Sequence, residues 1–550
     1  MQKKHAVDHI DALHSHDERT HALSRRAFVR NVGLATVAGC AAVGSPAGAL
    51  ETRDRRGNAL LDAPGEARAR SREAFDRRVE AAQQQRALPE PRWPKNGDEA
   101  DLTGFLGNFS KTLPHNDVGE VDGAAYEQLL NALDSGAATD FDAIPAGGTG
   151  VLANPRAAYS FALSGADSHK IDLPAVHGFS SARQAAEAAE VYWMALCRDV
   201  PFAQYDTHPL TLAAAEDLST FSDFTAPRDT TAVSPATLFR GQTPGDLQGP
   251  YLSTFLTRDI PYGNRAAPQA FSNPVAGDDH MTDVAAWLAV QRGQFPATPN
   301  ALQLSLAPLT TGRDLAEYVH TDYSYQAYLN AALICLGFGD DARAPHPYRT
   351  AQREAGFVTF GGPAVLDVVA RAARVALRPA WVHKWLVHRK LRPEAYGGRV
   401  EHLRLGVRDY PIHTELLNSN ALARTFSLQG NHLLSQAYPE GSPTHPSYPA
   451  GHATMAGACV TVLKAFFNES FEIPGSGGLT VGGELNKLAS NIALGRNLGG
   501  VHWRADGDDG LLAGEQIAIT LLRDELVTVT ESVESGFTLT RFEGDLLTIS

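Results

Sequence analysis

The chain has 550 residues and a formal charge of −14, from 48 Lys plus Arg against 62 Asp plus Glu. Binding nucleic acid depends on clustered basic groups that neutralise phosphates, so that class of partner is not expected of so acidic a chain. Its four cysteines, Cys40, Cys197, Cys335 and Cys459, lie too far apart for a paired thiolate metal site, and the length suits either one large domain or two to three average ones.

In chain order, the N-terminus reads first as an address. Arg25 and Arg26, then Phe28, a weakly apolar run from Val32 to Val43 and the small-residue pattern Ala47-Gly48-Ala49 resemble a twin-arginine export signal over residues 1–49. That predicts a periplasmic or secreted protein. A lipoprotein cleavage site at Cys40 and a short amphipathic helix remain as alternatives. No later run reaches about 18 apolar residues, so no membrane span is expected. Residues 50–94 are a polar helical linker, with "EARARSREAFDRRVEAAQQQR" broken by "PEPRWPKNGDE".

Beyond it, "SARQAAEAAEVYWMALCRDVPF", "PVAGDDHMTDVAAWLAVQRGQF" and "GRDLAEYVHTDYSYQAYLNAALICLGFG" carry apolar residues at helical spacing. In the last of these, Leu315, Val319, Tyr323, Tyr325 and Leu329 predict one continuous helix ended by glycines. Long loops rich in Gly, Pro, Asn and Asp separate the helices, and such loops are where sites tend to be built. "GFTLTRFEGDLLTIS" alternates apolar and polar on both sides of Glu543-Gly544-Asp545 and predicts a terminal hairpin over 531–550. The class is therefore all-α with long loops and a small C-terminal β-hairpin.

Three segments carry chemistry. In "HKWLVHRKLRPEAYGG", Lys384 and Arg392 are eight residues apart and can lean toward one end of a helix, with Pro393 releasing the chain. A point-charge donor beside a forked planar donor suits an oxyanion, although taken alone this is also a solvated basic helix face. In "SYPAGHATMAG", Gly451 allows close backbone approach and the following helix start offers N–H groups to an anion, placing His452 beside it. In "NIALGRNLGGVHWRADGDDG", Arg496 precedes His502, and Asp506 lies four residues after that histidine, on the same helix face. An Asp below a His decides which ring nitrogen holds the proton.

Taken together, the Lys…Arg-Pro, Pro-Ala-Gly-His and Arg…His segments resemble the signature shared by vanadium-dependent haloperoxidases and phosphatidic-acid-phosphatase-type acid phosphatases. "GPYLSTFLTRDIPYG" and "YVHTDYSYQAYLNAALICLGFG" extend the similarity to most of the chain from about residue 95, specifically toward the bromoperoxidase branch. The resemblance implies two packed helical bundles, 95–310 and a catalytic 311–530.

It also implies a vanadate cofactor, with hydrogen peroxide, a halide and a small organic acceptor as reactants, and a homo-oligomer, dimer or larger. Carried over by motif, His502 would be the protein ligand to vanadium. Lys384, Arg392, Arg496 and the Gly451 N–H would neutralise its oxygens, and His452 would be the acid–base group. Asp322 would support His452, and Asp506 would support His502.

Ala450 stands where the family usually has Ser, removing one hydroxyl contact. Trp381 and His445 match the halide-proximal positions. Chlorinating fungal relatives hold Phe at the second of these, so His445 points to bromide and iodide. Calcium in the acidic loops is compatible with the composition, although "DGDDG" at 506–510 lacks full EF-hand spacing.

Two other functions use the same residues. In an acid phosphatase, His502 would form a phosphohistidine and His452 would protonate the leaving alcohol. A non-catalytic oxyanion binder is the reading that Ala450 invites and His452 opposes.

Overall fold

The computed structural model describes residues 63–531 and 536–550. Arg25, Arg26, Cys40 and the rest of the 1–49 segment lie outside the described residues. The polar linker is helical over Ala63–Arg86.

Helices then dominate residues 79–550, and their starts follow from local chemistry. Ser181 caps Ala182–Leu196 by accepting from the Gln184 N–H. Thr311 and Asp314 form a reciprocal capping box at Gly312–Thr321, and Thr480 caps Val481–Leu498 through the Gly483 N–H. Two short antiparallel hairpins complete the architecture. Ile260–Tyr262 pairs with Arg265–Ala267, and Phe537–Thr540 pairs with Leu546–Ile549, Phe537 opposite Ile549.

The centre is the Gly451–Phe466 helix, buried on every side except at His452. Its sequence marks a face at Ala453, Ala456, Val460 and Leu463, but helices and the Phe537–Thr540 strand pack around it. Small residues make that possible. A Cβ at Gly457 would fall 2.1 Å from the Leu511 carbonyl, and one at Gly514 would fall 2.2 Å from the Thr454 carbonyl. The Gly451–Phe466 and Arg504–Thr528 helices therefore meet backbone to backbone. Gly362–Val382 and Val481–Leu498 pack on its other sides. Ala182–Leu196 joins the same continuous core through Trp193 and Val191. Its buried Glu190 holds Arg504 at 2.9 Å and so ties the first half of the chain to the start of the Arg504–Thr528 helix.

Two helices predicted from spacing are broken. The stretch around residues 312–339 is two helices, Gly312–Thr321 and Gln326–Gly337, because Asp322 leaves helical geometry (φ −65°, ψ 150°) and its carboxylate bonds to a distant histidine. Tyr323 consequently points to solvent, 79 % exposed. Lys384 and Arg392 do not share a helix either. The helix Gly362–Val382 widens into a π-type turn over His383–His388, and Arg389 adopts a left-handed conformation (φ 43°) that stops it. Pro393 then opens a new helix, Pro393–Arg404, with Arg392 at its cap position.

Gly514→Val is expected to cost about 1–3 kcal/mol through overpacking between two backbones, read as a lowered thermal midpoint. Gly123→Ala, at a helix start where an added Cβ meets nothing within 4 Å, should leave the midpoint nearly unchanged.

Candidate functional site

Four buried groups converge on the start of the Gly451–Phe466 helix. Lys384, in the widened turn, donates from Nζ to the carbonyls of Pro446 and Ser447, both at 2.7 Å. Arg392 donates from Nε to the His445 carbonyl at 2.9 Å and from Nη1 to the Val501 carbonyl at 2.7 Å. Its Nη1 also lies 2.9 Å from His502 Nε2, and its Nη2 lies 3.0 Å from His445 Nδ1. Arg496 ends the Val481–Leu498 helix. It donates to the Val319 carbonyl at 2.7 Å and rests on the Tyr438 ring, 5.4 Å from its centroid.

The histidine's protonation follows from its partners. A guanidinium can only donate, so His502 Nε2 accepts from Arg392 and Nδ1 carries the proton, donating to Asp506 Oδ2 at 2.8 Å. Burial, reinforced by Arg392, Lys384 and Arg496, pushes His502 well below the ordinary imidazole range. The ring is therefore neutral, with its Nε2 electron pair turned toward the cations. Helix geometry is not what pairs these residues. His502 precedes the helix, which begins at Arg504, and Asp506 sits in the first turn, where it also accepts from the Trp503 N–H at 3.1 Å.

The three cations are costly as they stand. Burial drives Lys384 well below its ordinary value; Asp506 offsets part of this, while Arg392 and Arg496 add to it. Burial pulls Arg392 down to about 9, against the opposing pull of Asp506. Arg496 Nε is buried with no hydrogen-bond partner among the described residues. Arg343 and Arg399 also have an unpartnered Nε, so it is the company of Lys384 and Arg392 around Arg496 that suits a bound anion.

The helix start supplies more donors. Ala450 occupies the cap position and no side chain caps the helix, so its first N–H groups are not consumed by a side-chain oxygen. Ala450 itself is fixed by its own N–H, which donates to the Asp506 carbonyl at 2.8 Å. At Gly451 an added Cβ would sit 3.4 Å from the Trp381 ring and 3.4 Å from Leu377. A Cβ there would make ordinary contact with both, so Gly451 lies directly against that indole.

The remaining groups form the open side. His452 Nε2 bonds to Asp322 Oδ1 at 3.0 Å, with the histidine side chain 25 % exposed and the aspartate 5 %. His445 and Trp381 are half-buried and pack ring to ring at 4.9 Å. Trp381 also lies 6.0 Å from Lys384 Nζ. Burial, with Lys384 and Arg392 next, keeps His445 neutral and well below its ordinary value.

Several supports escaped sequence reading because they act through backbone carbonyls or distant side chains. Lys111, 281 residues before Arg392, forms a buried ion pair with Glu394 at 2.7 Å. It also donates to the carbonyls of Glu440 and Ser442, fastening the 440–447 loop against the Pro393–Arg404 helix. Tyr438 lies under Arg496 and is stacked on His320 at 4.0 Å. The 506–510 carboxylates turn to different partners, Asp506 to His502 and Asp509 to the Tyr448 hydroxyl at 2.9 Å. Among the described residues no group of three or more His, Cys, Asp or Glu side chains is arranged to hold a metal ion, so nothing at this loop supports calcium.

His320 gives a pH test of this scaffold. Burial lowers its pKa, but hydrogen bonds to Glu317 and Glu440 outweigh that and lift it to about 9. The folded state thus holds a proton that the unfolded chain gives up near pH 6.5. The resulting stability is complete below about pH 6.5 and is lost as pH rises through about 9. Chemical denaturation at stepped pH should show this decline, and His320→Gln should flatten it.

The comparisons with known proteins agree with this geometry. Residues 431–524 match the VCPO second helical-bundle domain. A vanadium-dependent bromoperoxidase of Ascophyllum nodosum is 35 % identical over 88 % of this chain and 93 % of its own. One of Corallina officinalis is 32 % identical over 83 % and 92 %. The homohexameric second vanadate-dependent bromoperoxidase of Ascophyllum nodosum superposes with a TM-score of 0.84 at 31 % identity, covering 93 % of this chain and 95 % of that one. With that identity and coverage, and the oxyanion donors gathered at one buried helix start, this chain belongs to the vanadium-dependent bromoperoxidase family.

Proposed function

We propose that the protein is a vanadate-dependent peroxidase of bromide and iodide, using hydrogen peroxide. The observation that carries this is the meeting of three buried cations, one of them with an unpartnered Nε–H, with a neutral histidine whose Nε2 electron pair faces them. These residues fit vanadate. His502 would hold the metal through Nε2, and Lys384, Arg392, Arg496 and the Gly451 N–H would bind its oxygens. When bound, the group would supply a Lewis-acidic centre that activates peroxide toward attack by halide without a change of metal oxidation state.

The chain's own residues account for the rest. Asp506 accepts a hydrogen bond from His502 Nδ1–H and fixes the tautomer. Lys384 and the two arginines place fixed positive charge where negative charge accumulates, in a water-poor cradle where it acts strongly. With Nε2–H donated to Asp322, His452 has Nδ1 free to take a proton from hydrogen peroxide and return it to a leaving oxygen. His445 and Trp381 flank the half-open side, and a neutral imidazole in place of a phenyl ring supports bromide and iodide over chloride.

Residues 1–49 would export the protein by the twin-arginine route, which delivers folded, cofactor-loaded proteins. The homohexameric relative and the 93 % coverage support a homo-oligomer.

The test is bromination of a phenol reporter with bromide and peroxide, before and after chelator stripping and vanadate return, with p-nitrophenyl phosphate alongside. Activity should appear only with vanadate and be competed by phosphate; ester hydrolysis without bromination would overturn the reading.

His452→Ala should lower kcat by roughly 10²–10⁴-fold while vanadate still titrates the protein. A comparable loss of vanadate binding would instead make His452 a binding group. Ala450→Ser should tighten vanadate by about 0.5–1.5 kcal/mol, measured by calorimetric titration of the stripped protein.

A further inference from the structure

Another buried cation stands apart from the oxyanion cradle, on the helix that Arg392 caps. Arg399 lies about 10 Å further along the Pro393–Arg404 helix and is 2 % exposed. Its one hydrogen bond among the described residues runs from Nη1 to the Gly119 carbonyl at 2.7 Å. The guanidinium rests 5.8 Å from the centroid of the Tyr410 ring, and its Nε–H has no acceptor. Glu120 acts on it without bonding to it. That carboxylate is already engaged by the Tyr410 hydroxyl at 2.9 Å, Arg408 Nε at 3.3 Å and Asn116 Nδ2 at 2.8 Å.

His402 follows three residues later, a spacing that puts the two side chains on one side of the helix. It is 5 % exposed. Among the described residues it is the one buried histidine with both ring nitrogens unpartnered. A neutral imidazole carries one N–H and one electron pair, so here a donor and an acceptor are both stranded. Burial, with Arg399 next, holds this ring below the ordinary imidazole range.

The surroundings of the pair are fixed. The Trp287 and His402 rings meet edge to face at 5.7 Å, and Trp287 Nε1 donates to the Glu394 carbonyl at 2.9 Å. A Cβ at Gly398 would fall 1.9 Å from that indole and one at Gly119 would fall 2.2 Å from it. Packing this close suits a single-atom ligand better than a branched one.

We propose that Arg399 and His402 hold a halide ion, chloride or bromide, between the Nε–H of the first and a ring N–H of the second. A water molecule in this place would accept the same bonds but leave a buried charge uncompensated, which is costly. A halide accepts several N–H groups, asks for no donor in return and neutralises the guanidinium. The ion is bound here and not oxidised, so the proposal does not rest on the peroxidase reading. Halide at this site acts on the stability of the fold.

The test uses the vanadate-loaded protein, with the oxyanion cradle filled. Thermal midpoints are taken in sodium bromide or chloride against sodium gluconate and sodium sulfate at equal ionic strength, which holds general screening constant. The midpoint should rise with halide concentration, as for any ligand bound only by the folded state. Arg399→Met and His402→Phe keep bulk beside Tyr410 and Trp287 while removing the two donors. Each should raise the half-saturating halide concentration roughly tenfold or more, about 1.4 kcal/mol. Crystals of the wild type grown in bromide should give an anomalous peak at the bromine absorption edge between Arg399 Nε and the His402 ring.

Equal midpoints in halide and gluconate, equal stabilisation by sulfate, or a halide response that survives in both variants would overturn the proposal. So would electron density at this place without an anomalous signal, which marks a water. The diffraction measurement needs only the wild type and decides the matter where a variant fails to fold.

Discussion

The arrangement depends on an uncompensated electrostatic cost. Lys384, Arg392 and Arg496 are held together out of water; Arg392 and Arg496 make Lys384 harder to keep charged, and Arg496 does the same to Arg392. Burying like charges is tolerated only when the surrounding structure overdetermines their positions. Here that hold comes from backbone: the carbonyls of Pro446 and Ser447 on Lys384, those of His445 and Val501 on Arg392, and that of Val319 on Arg496. Carbonyl oxygens bind the cations without cancelling their charge, so the site retains a strong preference for an anion.

That hold explains features that otherwise look like separate irregularities. The π-type turn at His383–His388 and the left-handed Arg389 end one helix where Lys384 can reach the 446–447 carbonyls, and Arg392 is released to begin the next. The buried Lys111–Glu394 pair and its carbonyl partners keep the 440–447 loop in place, and this loop carries three of the carbonyls that grip the cations. Glycine contacts between Gly451–Phe466 and Arg504–Thr528 bring the Ala450 turn against Asp506, so the cap of one helix and the histidine support of the other meet at one point.

Exposure rises outward from this electrostatic centre. Lys384, Arg392, Arg496 and His502 are closed off, His452 is a quarter exposed where it bonds the buried Asp322, and the Trp381–His445 ring pair is half-buried. Ala450 alters this scheme modestly. It takes away one hydroxyl but leaves the uncapped helix start and all three cations in position.

Local sequence patterns carry the all-α class, the terminal hairpin, and the types and order of the residues that meet at the site. Local patterns record these because capping, helical spacing and side-chain donor types are short-range properties. They misplace the local frames. Local spacing puts Lys384 and Arg392 on one helix and His502 and Asp506 on one face, whereas the first pair straddles a helix break and the second is joined across a helix start. It also runs a helix through Asp322, whose departure from that helix is stabilised by a histidine 130 residues away. Tertiary contacts set which carbonyls hold the cations and which nitrogen of His502 is unprotonated, because backbone acceptors have no sequence identity and contacts across hundreds of residues leave no local period to read.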